Sequence, residues 1–171
     1  MKRLATLLLP LMLVGVAIPA HAAEIFGGLY VHDIKLPTDK SGIESGADVM
    51  LGWRGGRIGG TPLQPYAFGA LNTAGNTSYA AAGLSMKFGD RIFFRPGVGL
   101  AIHNGSADKF FRTDKIAFGS RILFEPEIGV GLRVSNRATI EASWVHMSHA
   151  QLFGHENPGI DNLGVRFSLG L

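Results

Sequence analysis

The stretches I-E-A-S-W-V-H-M-S, Ile140 to Ser148, and I-D-N-L-G-V-R-F-S-L-G-L, Ile160 to Leu171, decide how the chain is read. Both alternate with period two, and successive side chains on a strand point to opposite faces. In the first, Ile140, Ala142, Trp144, His146 and Ser148 share one face, and Glu141, Ser143, Val145 and Met147 share the other. In the second, Asp161, Leu163, Val165, Phe167, Leu169 and Leu171 form an apolar face, opposed by Asn162, Gly164, Arg166, Ser168 and Gly170. Paired as a hairpin, the two strands put Asp161 on the face that carries His146 and Ser148. A hydroxyl, a base and an acid on one surface make a nucleophile-and-base arrangement, set here on the apolar side of a sheet.

Working outward, the same alternation recurs. Further strands are expected over Glu24–Asp33, Ile43–Trp53, Leu63–Leu71, Thr77–Phe88, Arg91–Ile102 and Phe118–Val134, with the stretches above extending from Arg137 to Ser148 and from Ile160 to Leu171. That is an all-β chain with an even strand count. Connections after the first, fifth and seventh strands are long, and those after the fourth and sixth are very short, as at Gly89-Asp90 and Ser135-Asn136. Short turns on one rim and long loops on the other mark outer-membrane barrels, whose apolar face points to lipid. Glycine, at 24 residues, suits curved strands and close backbone approach. Arg91, Arg95, Glu125, Glu127, Glu141 and Arg166 are expected at interior strand positions, where polar pairs inside a barrel would be natural.

The first residues follow another logic. Lys2 and Arg3, an apolar run from Leu4 to Ile18 and the small-x-small site Ala20-His21-Ala22 read as a secretory signal peptide over 1–22. The remainder, 23–171, is expected to form one barrel domain. Without Lys2 and Arg3 the basic and acidic residues nearly balance, so there is no nucleic-acid footprint. There is no cysteine, so an exported domain of this size holds together without disulfides. Past the signal no apolar run reaches the roughly 20 residues of a spanning helix, although a spanning strand needs only about 9 to 11. A secreted lipid-binding barrel with an inward apolar face has the same periodicity.

H-M-S-H-A, beginning at His146, followed by N-P-G-I-D, ending at Asp161, resembles the signature of the PagL-type lipid A 3-O-deacylases, the acyloxyacyl hydrolase family. There H-x-S-[NH] precedes N-P-G-x-[ED]. The resemblance implies an eight-stranded antiparallel outer-membrane β-barrel with its active site on the lipid-facing surface near the outer leaflet. It implies an esterase of lipopolysaccharide acting on lipid A without a cofactor: Ser148 as nucleophile, His146 as base, Asp161 as orienting acid. Oxyanion donors are expected from His149 or from backbone N–H groups near Ala150 and Gly154. Glu156 is the rival acid, but it sits mid-loop, where a solvated charge is the default. His149, His155, Glu156 and Asp161 match no closed zinc spacing, so no metal site is expected. Two other classes remain beside the enzyme: a structural or adhesion barrel, which would tolerate loss of Ser148, and the secreted lipid-binding barrel.

Overall fold

The computed structural model describes residues 23–36, 42–108, 115–152 and 158–171. The expected signal peptide lies outside these residues, as do Gly154, His155 and Glu156. The strands are β1 (Glu24–Val31), β2 (Ala47–Arg54), β3 (Leu63–Asn72), β4 (Tyr79–Met86, resumed at Phe88–Gly89), β5 (Ile92–His103), β6 (Ile122–Arg133), β7 (Ala138–Met147) and β8 (Ile160–Gly170). Both pieces of β4 keep one register along β5, with Ser85 opposite Gly97 and Phe88 opposite Phe94. The ladder lapses only near Pro96, which has no N–H to give. All neighbours are antiparallel, and β1 pairs with β8 from Glu24↔Gly170 to Val31↔Leu163, so the sheet closes on itself and leaves no edge.

Period-two patterning decides what lies inside. The outward positions form a continuous apolar belt that includes Leu29, Leu51, Leu71, Leu100, Val130, Val165 and Phe167, with Leu51 and Leu71 each 71% exposed. A belt of this kind is the surface a barrel turns to hydrocarbon. Inside, toward the short-turn rim, charges are packed against one another. Arg54 meets Glu24 at 2.7 Å and Glu127 at 3.1 Å, Arg95 meets Glu24 and Glu141 at 3.0 Å each, and Arg166 meets Glu127 at 2.7 Å. A Cβ on Gly129 would lie 2.3 Å from Glu141 Oε1, so glycine is what makes room for this carboxylate. Toward the long-loop rim the interior turns apolar, with Tyr30, Met50, Phe68, Tyr79, Val145, Met147 and Ile160 in one cluster.

The strand expectations need correcting at three places. Arg91 is exposed in the turn before β5 rather than in the interior. Ile43 to Gly46 are not strand: Asp33 Oδ2 accepts the N–H groups of Ile43 and Glu44, and Gly46 has φ +108, which ends the extended run. Residues 118–121 do not begin β6. Instead Ile116 and Phe118 are fully buried in the apolar cluster and close the barrel mouth, while Glu44 accepts the N–H of Ile116 at 3.2 Å.

Candidate active site

Strands β7 and β8 place the outward-facing polar groups. Their register sets His146 directly opposite Asp161 and Trp144 opposite Leu163. His146 Nδ1 and Asp161 Oδ1 are 2.9 Å apart, a length at which the ring N–H donates to the carboxylate. With the ring proton on Nδ1, the lone pair of the imidazole lies on Nε2. The His146 side chain is 21% exposed, whereas that of Asp161 is wholly covered.

Ser148 continues the same face past the end of β7. Its N–H donates to Phe124 O at 3.1 Å and its carbonyl accepts from Phe124 N–H at 2.8 Å, in the register that Glu127↔Val145 sets for β6 and β7. The ladder is interrupted between these pairs at Pro126, again a residue without an N–H. Ser148 therefore stays on the side of the exposed Phe124 and of His146. Among the described residues no hydrogen bond joins Ser148 Oγ to the imidazole. Contacts of this kind are often loose before substrate binds.

Beyond Ser148 the chain turns sharply. Leu152 N–H donates to His149 O at 3.0 Å, and the two residues between, Ala150 and Gln151, have φ of 51° and 60°. Left-handed backbone costs non-glycine residues on the order of 1–2 kcal/mol each, and such strain gathers at functional sites. His149 is buried, with its Nε2 only 3.3 Å from where a Cβ on Gly119 would stand, so its ring faces the mouth-closing segment rather than the lipid side.

Two neighbours of the imidazole make contacts that the alternation alone did not reveal. Trp144 donates its indole N–H to Asp161 Oδ1 at 2.9 Å and lies over the His146 ring, centroids 5.7 Å apart and planes at 23°. Gly159 packs against the ring edge: a Cβ there would stand 2.5 Å from His146 Cε1. The signals were present, as a Trp two residues before the His on its own face and a Gly two residues before the acid. Only side-chain packing gives them meaning.

The loop after β1 braces the start of β8. Ile34 N–H donates to Asp161 O at 2.7 Å, and Asp33 N–H donates to Asn162 Oδ1 at 2.9 Å. Beside it, His32 bridges Asp48 at 2.9 Å and Glu44 at 3.1 Å. Burial alone would lower the His32 pKa, but the hydrogen bonds and charges of Asp48 and Glu44 outweigh it and raise the value to about 9. His32 is thus a cation near neutral pH, locked into the mouth. Among the described residues no group of His, Cys, Asp and Glu is arranged to hold a metal ion.

A family profile described as "Lipid A 3-O-deacylase (PagL)" matches residues 45–170. The chain belongs to the PagL family. A crystal structure described as that of the outer membrane enzyme PagL superposes with a TM-score of 0.62 at 21% identity, covering 86% of this chain and 99% of that one. Neisserial surface protein A superposes almost as well, with a TM-score of 0.61 at 12% identity over 87% of this chain and 97% of that one. A computationally designed transmembrane β-barrel reaches 0.53 at 10% identity, over 88% and 98%. A sequence comparison with curated proteins finds no match. At these identities the superpositions establish the fold, a closed barrel of the outer-membrane kind, and the family rests on the profile. The protein is accordingly an outer-membrane barrel of the PagL type.

Proposed function

We propose that the protein is a carboxylic ester hydrolase that removes the ester-linked acyl chain at the 3-position of lipid A. One observation carries this reading: the 2.9 Å contact of His146 Nδ1 with Asp161 on the lipid-facing wall, with Ser148 next along the same face. Buried ion pairs inside a barrel serve folding. A histidine–carboxylate pair turned outward beside a serine has no such purpose, and family membership supplies the substrate class.

In this reaction Ser148 Oγ attacks the ester carbonyl while His146 Nε2 takes its proton. Asp161, accepting from Nδ1–H, fixes the tautomer and stabilises the imidazolium. Collapse of the tetrahedral intermediate breaks the bond to the sugar oxygen, which leaves with the proton from Nε2. Water then attacks the acyl-enzyme, giving one proton to His146, and the hydroxy fatty acid departs as Ser148 is reprotonated. No step calls for a cofactor. Of the oxyanion donors expected near Ser148, the His149 ring turns toward the mouth-closing segment, which leaves the role to backbone N–H groups near Ala150 and Gly154. One such donor is typically worth about 2.7–4 kcal/mol in the transition state. Lipopolysaccharide would reach the site by lateral diffusion in the outer leaflet. Export would use residues 1–22 as a cleaved signal peptide, leaving 23–171 as the barrel, and N-terminal sequencing of the membrane form checks this.

The test is mass spectrometry of lipid A from cells with and without the protein. The expected result is a mass loss equal to one hydroxyacyl chain when the protein is present. Unchanged lipid A despite folded protein in the outer membrane would leave a structural or adhesion barrel as the better account.

A further inference from the structure

We propose that Trp144 is a positioning residue of the Ser148–His146–Asp161 machinery: its indole N–H holds the acid while its ring braces the base. The inference rests on the ester-hydrolase reading above and adds to it a residue outside the H-x-S and N-P-G-x-D motif.

Asp161 stands at a position where its strand neighbours on the same face, Leu163, Val165 and Phe167, are exposed to the bilayer, yet its own side chain is wholly covered. A carboxylate there must be supplied with donors, since burying a charge without them is prohibitive. Among the described residues, His146 Nδ1 and Trp144 Nε1 donate to its Oδ1, each at 2.9 Å. The nature of the second donor matters. A lysine or arginine at this position would form its own ion pair with Asp161 and compete with the imidazolium that the reaction creates. An indole is neutral and can only donate, so it orients the carboxylate and leaves its charge for the histidine.

Stacking adds a second constraint. The indole lies nearly parallel to the imidazole at 5.7 Å, while Gly159 approaches the ring's Cε1 edge. The imidazole is thereby held by Asp161 at Nδ1, by Trp144 across its face and by Gly159 at its edge, and its Nε2 remains to meet Ser148. A tryptophan that served only as a membrane-interface anchor would point its N–H to water or headgroups. Here the N–H is turned to the acid.

The experiment is a double-mutant cycle of Trp144→Phe and Asp161→Asn in the full barrel, read as kcat and KM for lipid A release. Phe keeps an aromatic ring over the histidine and removes only the N–H. The expected result is a fall in kcat on the order of tenfold with KM little changed, and a double variant no slower than Asp161→Asn alone, because Trp144 acts through that carboxylate. Labelling of Ser148 by a fluorophosphonate, which needs an activated serine but no lipid A, is followed in parallel. Wild type that labels but releases no acyl chain would sink the lipid A reading and leave the coupling measurable from the labelling rates. The Trp144 indole N–H resonance supplies a readout independent of activity and should shift on Asp161→Asn; the chain has two tryptophans, and Trp53→Phe assigns it. Losses that simply multiply, an indole resonance that does not move, or a wild type that fails to label would each overturn the role assigned to Trp144.

Discussion

The β7–β8 hairpin carries two cross-strand pairs of opposite charge character, Glu141 opposite Arg166 and His146 opposite Asp161. The two sit an odd number of residues apart, so they face opposite sides of the wall. Arg166 is enclosed in the lumen, with Glu127 at 2.7 Å, Glu141 at 3.4 Å and the Tyr30 hydroxyl at 3.1 Å around it. His146 engages Asp161 through one ring nitrogen and keeps part of its side chain exposed. The contrast teaches that a charged pair on a membrane strand is not in itself a signal. A pair saturated from all sides holds the barrel together, whereas a pair that leaves part of its histidine exposed on the face that carries a serine is open to chemistry.

Substitutions should separate the two pairs. Asp161→Asn allows the wrong imidazole tautomer, and the same change in serine proteases costs about 10⁴ in kcat. A comparable loss is expected here with the heat-dependent electrophoretic shift of a folded barrel retained, while Glu156→Gln should lose little. An inactive Glu156→Gln beside a nearly normal Asp161→Asn would transfer the acid's role to the loop. The inner pair should behave in the reverse way. Arg166→Met leaves buried carboxylates short of a partner, a defect that typically costs about 3–5 kcal/mol. Unfolding in urea should show that loss while acyl release per folded molecule stays near wild type, and a fall in activity without a fall in stability would erase the distinction.

The mouth next to the site should respond to alkali. His32 is raised in the folded state from 6.5 to about 9, so its stabilising contribution is complete below 6.5 and is lost as pH rises through about 9. The full swing is on the order of 3 kcal/mol. Stability measured from pH 6 to 10 should fall across this window in the wild type and stay flatter in His32→Asn; parallel curves would remove the ion pairs with Asp48 and Glu44 from the account. A change at the outer pair's edge should be smaller still. Gly159→Ala brings a methyl group into the His146 ring, and a shift of about 1 Å in a catalytic group can cost about 10²-fold. The expected signature is lower kcat in a normally folded barrel, and an unchanged rate would show that the ring tolerates the displacement.

Much of this was legible because a strand's faces follow from counting. Parity alone put His146, Ser148 and Asp161 on one side and Glu141 and Arg166 on the other, and the structure keeps that division. It also favoured Asp161 over Glu156, since a residue inside a paired strand has a fixed side and a loop residue does not. Counting could not show that Phe118, expected to begin a strand, folds inward with Ile116 to close the mouth. That depends on Glu44, distant in sequence, capturing the Ile116 N–H. Nor could it show the Trp144 hydrogen bond or the packing of Gly159, both of which depend on rotamers and on close approach across the hairpin. Where a side chain faces was readable, and what it touches was not.

The central claim is that the outward pair serves a serine nucleophile, and its most direct test is acyl release from lipid A by purified, folded Ser148→Ala beside wild type. The account predicts that the wild type frees one hydroxy fatty acid per lipid A and that Ser148→Ala frees none above background while migrating as an intact barrel. Full release by Ser148→Ala would contradict it, because another group would then have to attack the ester.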